Sequence, residues 1–236
     1  MSDSPKVLVV LTSHDKLGDT GKPTGWYLPE LAHPYSILAS HGFDFDFASP
    51  KGGPAPVDPA SVENADEESK AFYAKNSSLW EDTAPLQSFL GRADEYAALF
   101  YPGGHGPVFD LVENPTSQTL IQEFLAKGKV VAAVCHGVAA LLGVQDPESA
   151  DGTPYLKSKA VTGFSNAEEE DVGLASAVPF LLEDKLIEAV GTNGSYEKAE
   201  DKWAQKVVVD GKLITGQNPA SAKGVAEAIV RAVWGA

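Results

Sequence analysis

The apolar positions of this chain fall in short unbroken runs separated by polar stretches rich in Gly and Pro. Lys6 to Thr12 is apolar on both faces, the pattern of a central parallel strand covered by helices. After a loop containing Gly18, Gly21 and Gly25, Pro29 suits a first helical position, and the stretch to Ser40 reads as a helix stopped by His41-Gly42. Phe43 to Ala48 alternates Phe with Asp and reads as a strand. Gly52 to Pro59 is a loop, and the polar stretch from Ser61 to Ala93 reads as helical and superficial. Ala97 to Tyr101 is a second buried strand, ending in Pro102-Gly103-Gly104-His105-Gly106. A helix near 115–127 leads to the β-branched run Lys129 to Val134, which stops at Cys135-His136-Gly137 and continues as an Ala/Leu helix. Lys159 to Gly163 reads as a short strand, and 168–189 as one helix with an irregularity at Pro179. Lys206 to Gly216 reads as a hairpin turning at Asp210-Gly211. A last helix starts near Asn218-Pro219, with Asn as cap and Pro at the first position. Strands alternating with helices predict an α/β fold: a mostly parallel sheet with helices on both faces, in one domain spanning 1–236.

Composition narrows the function classes. With 43% hydrophobic residues the chain reads as an ordinary globular protein. Its net charge of −15 argues against nucleic acid and anionic membranes as partners, because phosphate is repelled. No basic region leads into an apolar stretch after Met1, and no apolar run approaches the ~18–20 residues of a membrane span. A single cysteine rules out an internal disulfide framework and fits a reducing compartment, so the expectation is a soluble cytoplasmic protein.

That cysteine is the sharpest chemical feature. A strand running into Cys135-His136-Gly137 places the sulfur on a strand-to-helix turn, where the helix dipole and free N–H groups are expected to lower the thiol pKa. The alternative is a small buried apolar residue. Open α/β sheets bind ligands beyond the carboxyl ends of their strands, and the Gly103-Gly104-His105-Gly106 loop also follows such an end. Gly104 and His105 are therefore candidates for an oxyanion pocket beside the sulfur, against the reading of a turn needed for geometry alone. The third glycine of a dinucleotide fingerprint is missing, and no phosphate-binding Walker sequence occurs. Glu30 sits in the first turn of its helix, where a carboxylate is favoured whether or not it has a function. Glu30 and His33 form one Glu-x-x-His, too little for a di-iron site, so no metal is assigned. Ser165 and Glu168 form a capping box, which explains Glu168 and leaves Glu169 and Glu170 free.

Assembled, these residues resemble the ThiJ/PfpI superfamily. The likeness rests on Val7 to Ser13, Gly25 through Glu30 to His33-Pro34, Gly103-Gly104-His105-Gly106, Ala133-Val134-Cys135-His136-Gly137, Thr162-Gly163-Phe164-Ser165 and Thr215-Gly216-Gln217-Asn218-Pro219-Ala220-Ser221. It points to the branch of heat-inducible chaperones and glutathione-independent glyoxalases. The resemblance implies a flavodoxin-like fold, a homodimer, no cofactor, a triad of Cys135, His136 and Glu169, and a second acid, Glu30, near the sulfur. Glu169 is taken from its place six residues after Gly163. The implied reaction converts methylglyoxal or a related 2-oxoaldehyde to the 2-hydroxy acid through a Cys135 hemithioacetal. The chain departs from the yeast-like pattern at Glu200-Asp201-Lys202-Trp203, where that branch carries Gly-Pro-Trp, and this bears on substrate preference more than on chemistry. A peptidase of the PfpI type and a holdase chaperone or redox sensor stand as alternatives. A class I glutamine amidotransferase is disfavoured because no histidine follows His136.

Overall fold

Val130 to Val134, which reads as a strand buried on both sides, is an interior strand of the molecule's main sheet and is wholly inaccessible. The computed structural model describes residues 4–235. Met1 to Asp3, which entered the reading of the N-terminus for a leader, lie outside the described residues. In chain order the first half comprises β1 (Lys6–Val10), α1 (Leu28–Ser40), β2 (Asp44–Ser49), α2 (Pro59–Glu63), α3 (Glu67–Lys75), α4 (Ser78–Glu81), β3 (Ala84–Pro85) and β4 (Ala98–Tyr101). There follow α5 (Pro107–Asp110), α6 (Pro115–Ala126), β5 (Val130–Val134), β6 (Ala160–Val161), α7 (Asn166–Asp171), α8 (Leu182–Val190), β7 (Ser195–Tyr196), β8 (Val207–Asp210), β9 (Leu213–Gly216) and α9 (Ala222–Trp234). The seven-stranded sheet has the order β3-β2-β1-β4-β5-β9-β8. Every neighbouring pair in it is parallel except β8 and β9, which form the expected hairpin. Helices α1 and α9 pack on each other, with α9 against β5 and β9, and α6 packs against β4 and β5. This is the α/β, flavodoxin-like architecture the sequence predicts. No helix among the described residues is long and apolar enough to cross a membrane.

Four segments differ from expectation. The chain after Cys135 forms a tight 3-10 turn over Cys135–Leu141 rather than an α-helix. Residues 168–189 form two helices: α7 ends at Asp171, Gly173 takes φ +71°, and the chain does not resume helical geometry until Leu182. A φ of that sign cannot continue a right-handed helix. The strand near 160 exists, but it pairs with β7 in a separate two-stranded ladder. The stretch 61–93 is only partly helical and is not superficial throughout. Phe72, Trp80, Leu86 and Phe89 are buried, with Trp80 edge-on to Trp26 at 5.3 Å between ring centres.

The topology gathers the chemistry at one end of the sheet. The Gly103–Gly106 loop leaves β4, Cys135 leaves β5, and Gln217-Asn218 leaves β9, all from carboxyl ends of adjacent strands.

Candidate functional site

Cys135 adopts φ +57°, a left-handed conformation rare for a residue with a side chain. This sharp elbow turns the sulfur back over the sheet end and lets two adjacent residues face one another. Cys135 Sγ lies 3.5 Å from His136 Nδ1. Across the imidazole, His136 Nε2 is 2.6 Å from Glu169 Oε2, and both residues are buried. The same carboxylate takes His105 Nε2 on its other oxygen at 2.8 Å. An ionised carboxylate only accepts, so both facing nitrogens carry protons. His136 Nδ1 is thereby left as an acceptor directed at the thiol.

The electrostatics follow from this packing. Burial alone would raise the Glu169 carboxyl, yet hydrogen bonds from His105 and His136 overcome it and hold the group at about 2. Burial, followed by the neighbouring His105, lowers His136 to about 4 in spite of Glu169, so the imidazole is neutral at pH 7.

Glu30 reaches the sulfur from the other side. It stands in the first turn of α1, fully buried, and its Oε2 accepts the Gly103 N–H at 2.8 Å. Gly103 is held at both ends, since its carbonyl accepts the Tyr27 N–H at 3.0 Å. A Cβ placed on Gly103 would lie 2.5 Å from Glu30 Oε2 and 2.7 Å from Cys135 Cβ, so only glycine lets these groups converge. Burial pushes the Glu30 carboxyl up to about 8, with the Cys135 thiol and the Gly103 N–H offsetting only part of it. Its second oxygen, Oε1, has no conventional N–H or O–H donor.

The thiol corrects a sequence expectation. Burial, then the Glu30 carboxylate, push Cys135 well above the ordinary thiol range, although the backbone N–H groups of His136 and Gly104 at the sulfur pull the other way. The dipole argument omitted both the depth of the elbow and the acid beside it. The resting group is a thiol between the His136 acceptor nitrogen and the Glu30 carboxyl, rather than a free thiolate.

Each candidate residue is thus accounted for. Cys135, His136, Glu169 and Glu30 meet at one point. Gly104, at φ +90°, points its N–H at the Cys135 sulfur, whereas His105 contributes its ring to Glu169. His33 turns away to Asp66 at 2.8 Å, so the Glu-x-x-His does not assemble. The donor atoms of His105, His136 and Glu169 lie within 4.8 Å of one another, a set chemically suited to a zinc-type ion. Glu170 is exposed.

Glu168 is more than a cap. The capping box with Ser165 is present, but the fully buried carboxylate also accepts Trp203 N at 3.1 Å, Gln217 Nε2 at 3.0 Å and Asn218 Nδ2 at 2.7 Å. Sequence reasoning assigned no site role to Tyr27, Phe164 and Val172, which with His105 and Trp203, noted there only for substrate preference, enclose a pocket of about 70 Å³ over Cys135. An aromatic residue three positions before Glu30, at the cap of the same helix, was the available signal for Tyr27. Trp203 sits at φ +65° with its indole N–H on Asp171 Oδ2 at 2.9 Å, so α7 positions both Glu169 and this part of the rim.

Residues 22–168 match the family described as ThiJ/PfpI family-like. The chain is 32% identical to the glutathione-independent glyoxalase hsp3102 of Schizosaccharomyces pombe, over 96% of both proteins. Its fold superposes on glyoxalase III of Candida albicans with a TM-score of 0.86 at 30% identity, covering 97% of each chain. Rapid Encystment Protein 24 KDa of Francisella tularensis gives 0.89 at 38% identity, covering 97% of this chain and 99% of the other.

Proposed function

The chain belongs to the ThiJ/PfpI family, and on that premise we propose that it is a glutathione-independent glyoxalase converting methylglyoxal to D-lactate without a cofactor. The observation that carries this reading is Glu30, a fully buried carboxyl packed against the Cys135 thiol and pushed up to about 8 by that burial. Internal redox transfer in a 2-oxoaldehyde needs a group that takes a proton from C1 and returns it to C2. Such a group works best with a pKa near the working pH.

The steps follow from the contacts. Cys135 Sγ attacks the aldehyde carbon, and the thiol proton passes to His136 Nδ1, 3.5 Å away. The oxygen that develops charge beside the sulfur is stabilised by the N–H groups of Gly104 and His136. Glu169 holds the ring through Nε2 and stabilises the imidazolium as it forms. The Glu30 carboxylate removes the C1 proton to give an enediolate and delivers it to C2, while the His136 imidazolium returns the thiol proton to the C2 oxygen, leaving a 2-hydroxy thioester and a neutral imidazole. Water hydrolyses this and frees the thiol. C1 is oxidised and C2 reduced, so the net change is addition of one water.

The Cys135–His136–Glu169 alignment also suits a cysteine peptidase. The pocket of about 70 Å³ favours a small aldehyde over a peptide. A reducing compartment such as the cytoplasm and a homodimeric state complete the proposal, from the lone free cysteine and the family resemblance respectively.

The test is an assay of purified protein without glutathione on methylglyoxal, glyoxal and a peptide, with lactate measured directly. Lactate formation lost in Cys135→Ser, with the melting temperature retained, is expected. Peptide cleavage without lactate would replace the glyoxalase with the peptidase. Suppression of aggregation surviving in Cys135→Ala, with no lactate from the wild type, would favour the holdase.

A further inference from the structure

The pocket over Cys135 is an inner chamber of a larger space. Tyr27, His105 and Val172 wall it, and the same three side chains also wall an open groove of about 470 Å³. That groove is also lined by Leu17, Pro23, Ala60 and Leu174. Two of the exposed large apolar side chains among the described residues, Val172 at 42% and Trp203 at 38%, stand at the mouth of the inner chamber. Neither serves the core, and exposed apolar side chains grouped at a mouth mark ligand contact.

The volumes divide a substrate in two. The inner chamber, about 70 Å³, takes a handful of water-sized groups, which the non-hydrogen atoms of methylglyoxal occupy. The walls shared at Tyr27, His105 and Val172 give a bulkier 2-oxoaldehyde a route for its substituent into the groove while its two carbonyl carbons stay at Cys135. The groove bears one cation, Lys22, against two carboxylates, Asp58 and Glu63, on a chain of net charge −15. An anionic substituent is disfavoured there, and an uncharged apolar one is favoured by Leu17, Pro23 and Leu174.

We propose that the groove is a substituent subsite, and that this protein acts on 2-oxoaldehydes carrying an uncharged aryl or branched alkyl group as well as on methylglyoxal. The inference rests on the glyoxalase reading and adds a substrate class to it. The chemistry is unchanged: C1 is oxidised, C2 is reduced and one water is added, giving the aryl or alkyl 2-hydroxy acid.

The test compares kcat/KM for methylglyoxal, phenylglyoxal and 4-carboxyphenylglyoxal in the wild type and two variants that fill the groove from different elements. Ala60→Trp acts from an exposed position on α2, and Leu174→Trp acts from the segment after α7. The wild type is expected to use phenylglyoxal at least as well as methylglyoxal, and the carboxylated analogue less well. Each variant is expected to lower the phenylglyoxal-to-methylglyoxal ratio by about tenfold or more. A ratio unchanged in both variants overturns the subsite, as does a wild type that turns over methylglyoxal and rejects phenylglyoxal. A wild type inert to all three aldehydes overturns the glyoxalase reading itself. Ala60→Trp keeps the test open if Leu174→Trp does not fold, because its position is on the surface.

Discussion

Glu168 Oε1 and Asn218 Nδ2 are 2.7 Å apart although 50 residues separate them in the chain. With Trp203 N and Gln217 Nε2 on the same oxygen, and Ser165 N and Oγ on the other, the buried carboxylate accepts five hydrogen bonds. Glutamine in its place turns an NH₂ towards donors. Glu168→Gln is therefore expected to destabilise the fold by about 2–4 kcal/mol, more than the ~1 kcal/mol typical of a lost cap. Denaturant midpoints for Glu168→Gln and Glu168→Ala measure this. A Gln variant as stable as the wild type would mean the carboxylate serves only as a cap.

The next two residues are expected to behave differently. Glu169→Gln removes an acceptor from either His136 or His105, and kcat/KM should fall by about 10²-fold or more with the fold retained. Glu170 is exposed, and Glu170→Gln should be silent in both kinetics and melting temperature. Equal activity in the two Gln variants would dismantle the role assigned to Glu169.

Glu30 gives a pH signature in two observables. As the base, it is active when ionised, so kcat/KM should rise with pH towards about 8, and Glu30→Gln should lose that limb along with about 10²-fold in kcat. For stability the sign is opposite to that of an ordinary carboxylate. A folded-state value of about 8, above the ordinary 4.5, means that the fold favours the neutral acid. This contribution is complete below pH ~4.5 and is lost as pH rises towards about 8. The melting temperature of Glu30→Gln, relative to the wild type, should therefore climb across that window. A difference independent of pH would show that Glu30 is ionised throughout.

Gly103→Ala tests the convergence of the acid and the sulfur. The added methyl would meet Val134 O at 2.8 Å as well as Glu30 Oε2 and Cys135 Cβ, and the backbone oxygen cannot move aside. A destabilisation of about 1–3 kcal/mol is expected, together with loss of turnover. Full activity in this variant, measured alongside its melting curve, would contradict the close approach.

What the sequence disclosed was local, and what it hid depends on distant neighbours. The elbow was legible because a β-branched run ending in Cys-His-Gly leaves few readings, and α1 because Pro29 marks its start. Ser165 and Glu168 were read correctly as a capping box, but that local reason concealed the partners at 203, 217 and 218. Spacing and periodicity did not reach Glu169, which came only from the family resemblance, and His105 was read for its backbone because its ring partner lies 64 residues away. The thiol was misjudged for the same reason: the turn was visible in the sequence, but the buried acid facing it was not.

The φ of +57° at Cys135 has a consequence for descent. Most residue types bear a backbone penalty there of order 1–3 kcal/mol, Asn and Asp less, and glycine bears essentially none. Selection for a durable fold and selection for turnover therefore pull in opposite directions at this one position. A lineage released from the chemistry would gain stability by drifting to glycine at this position.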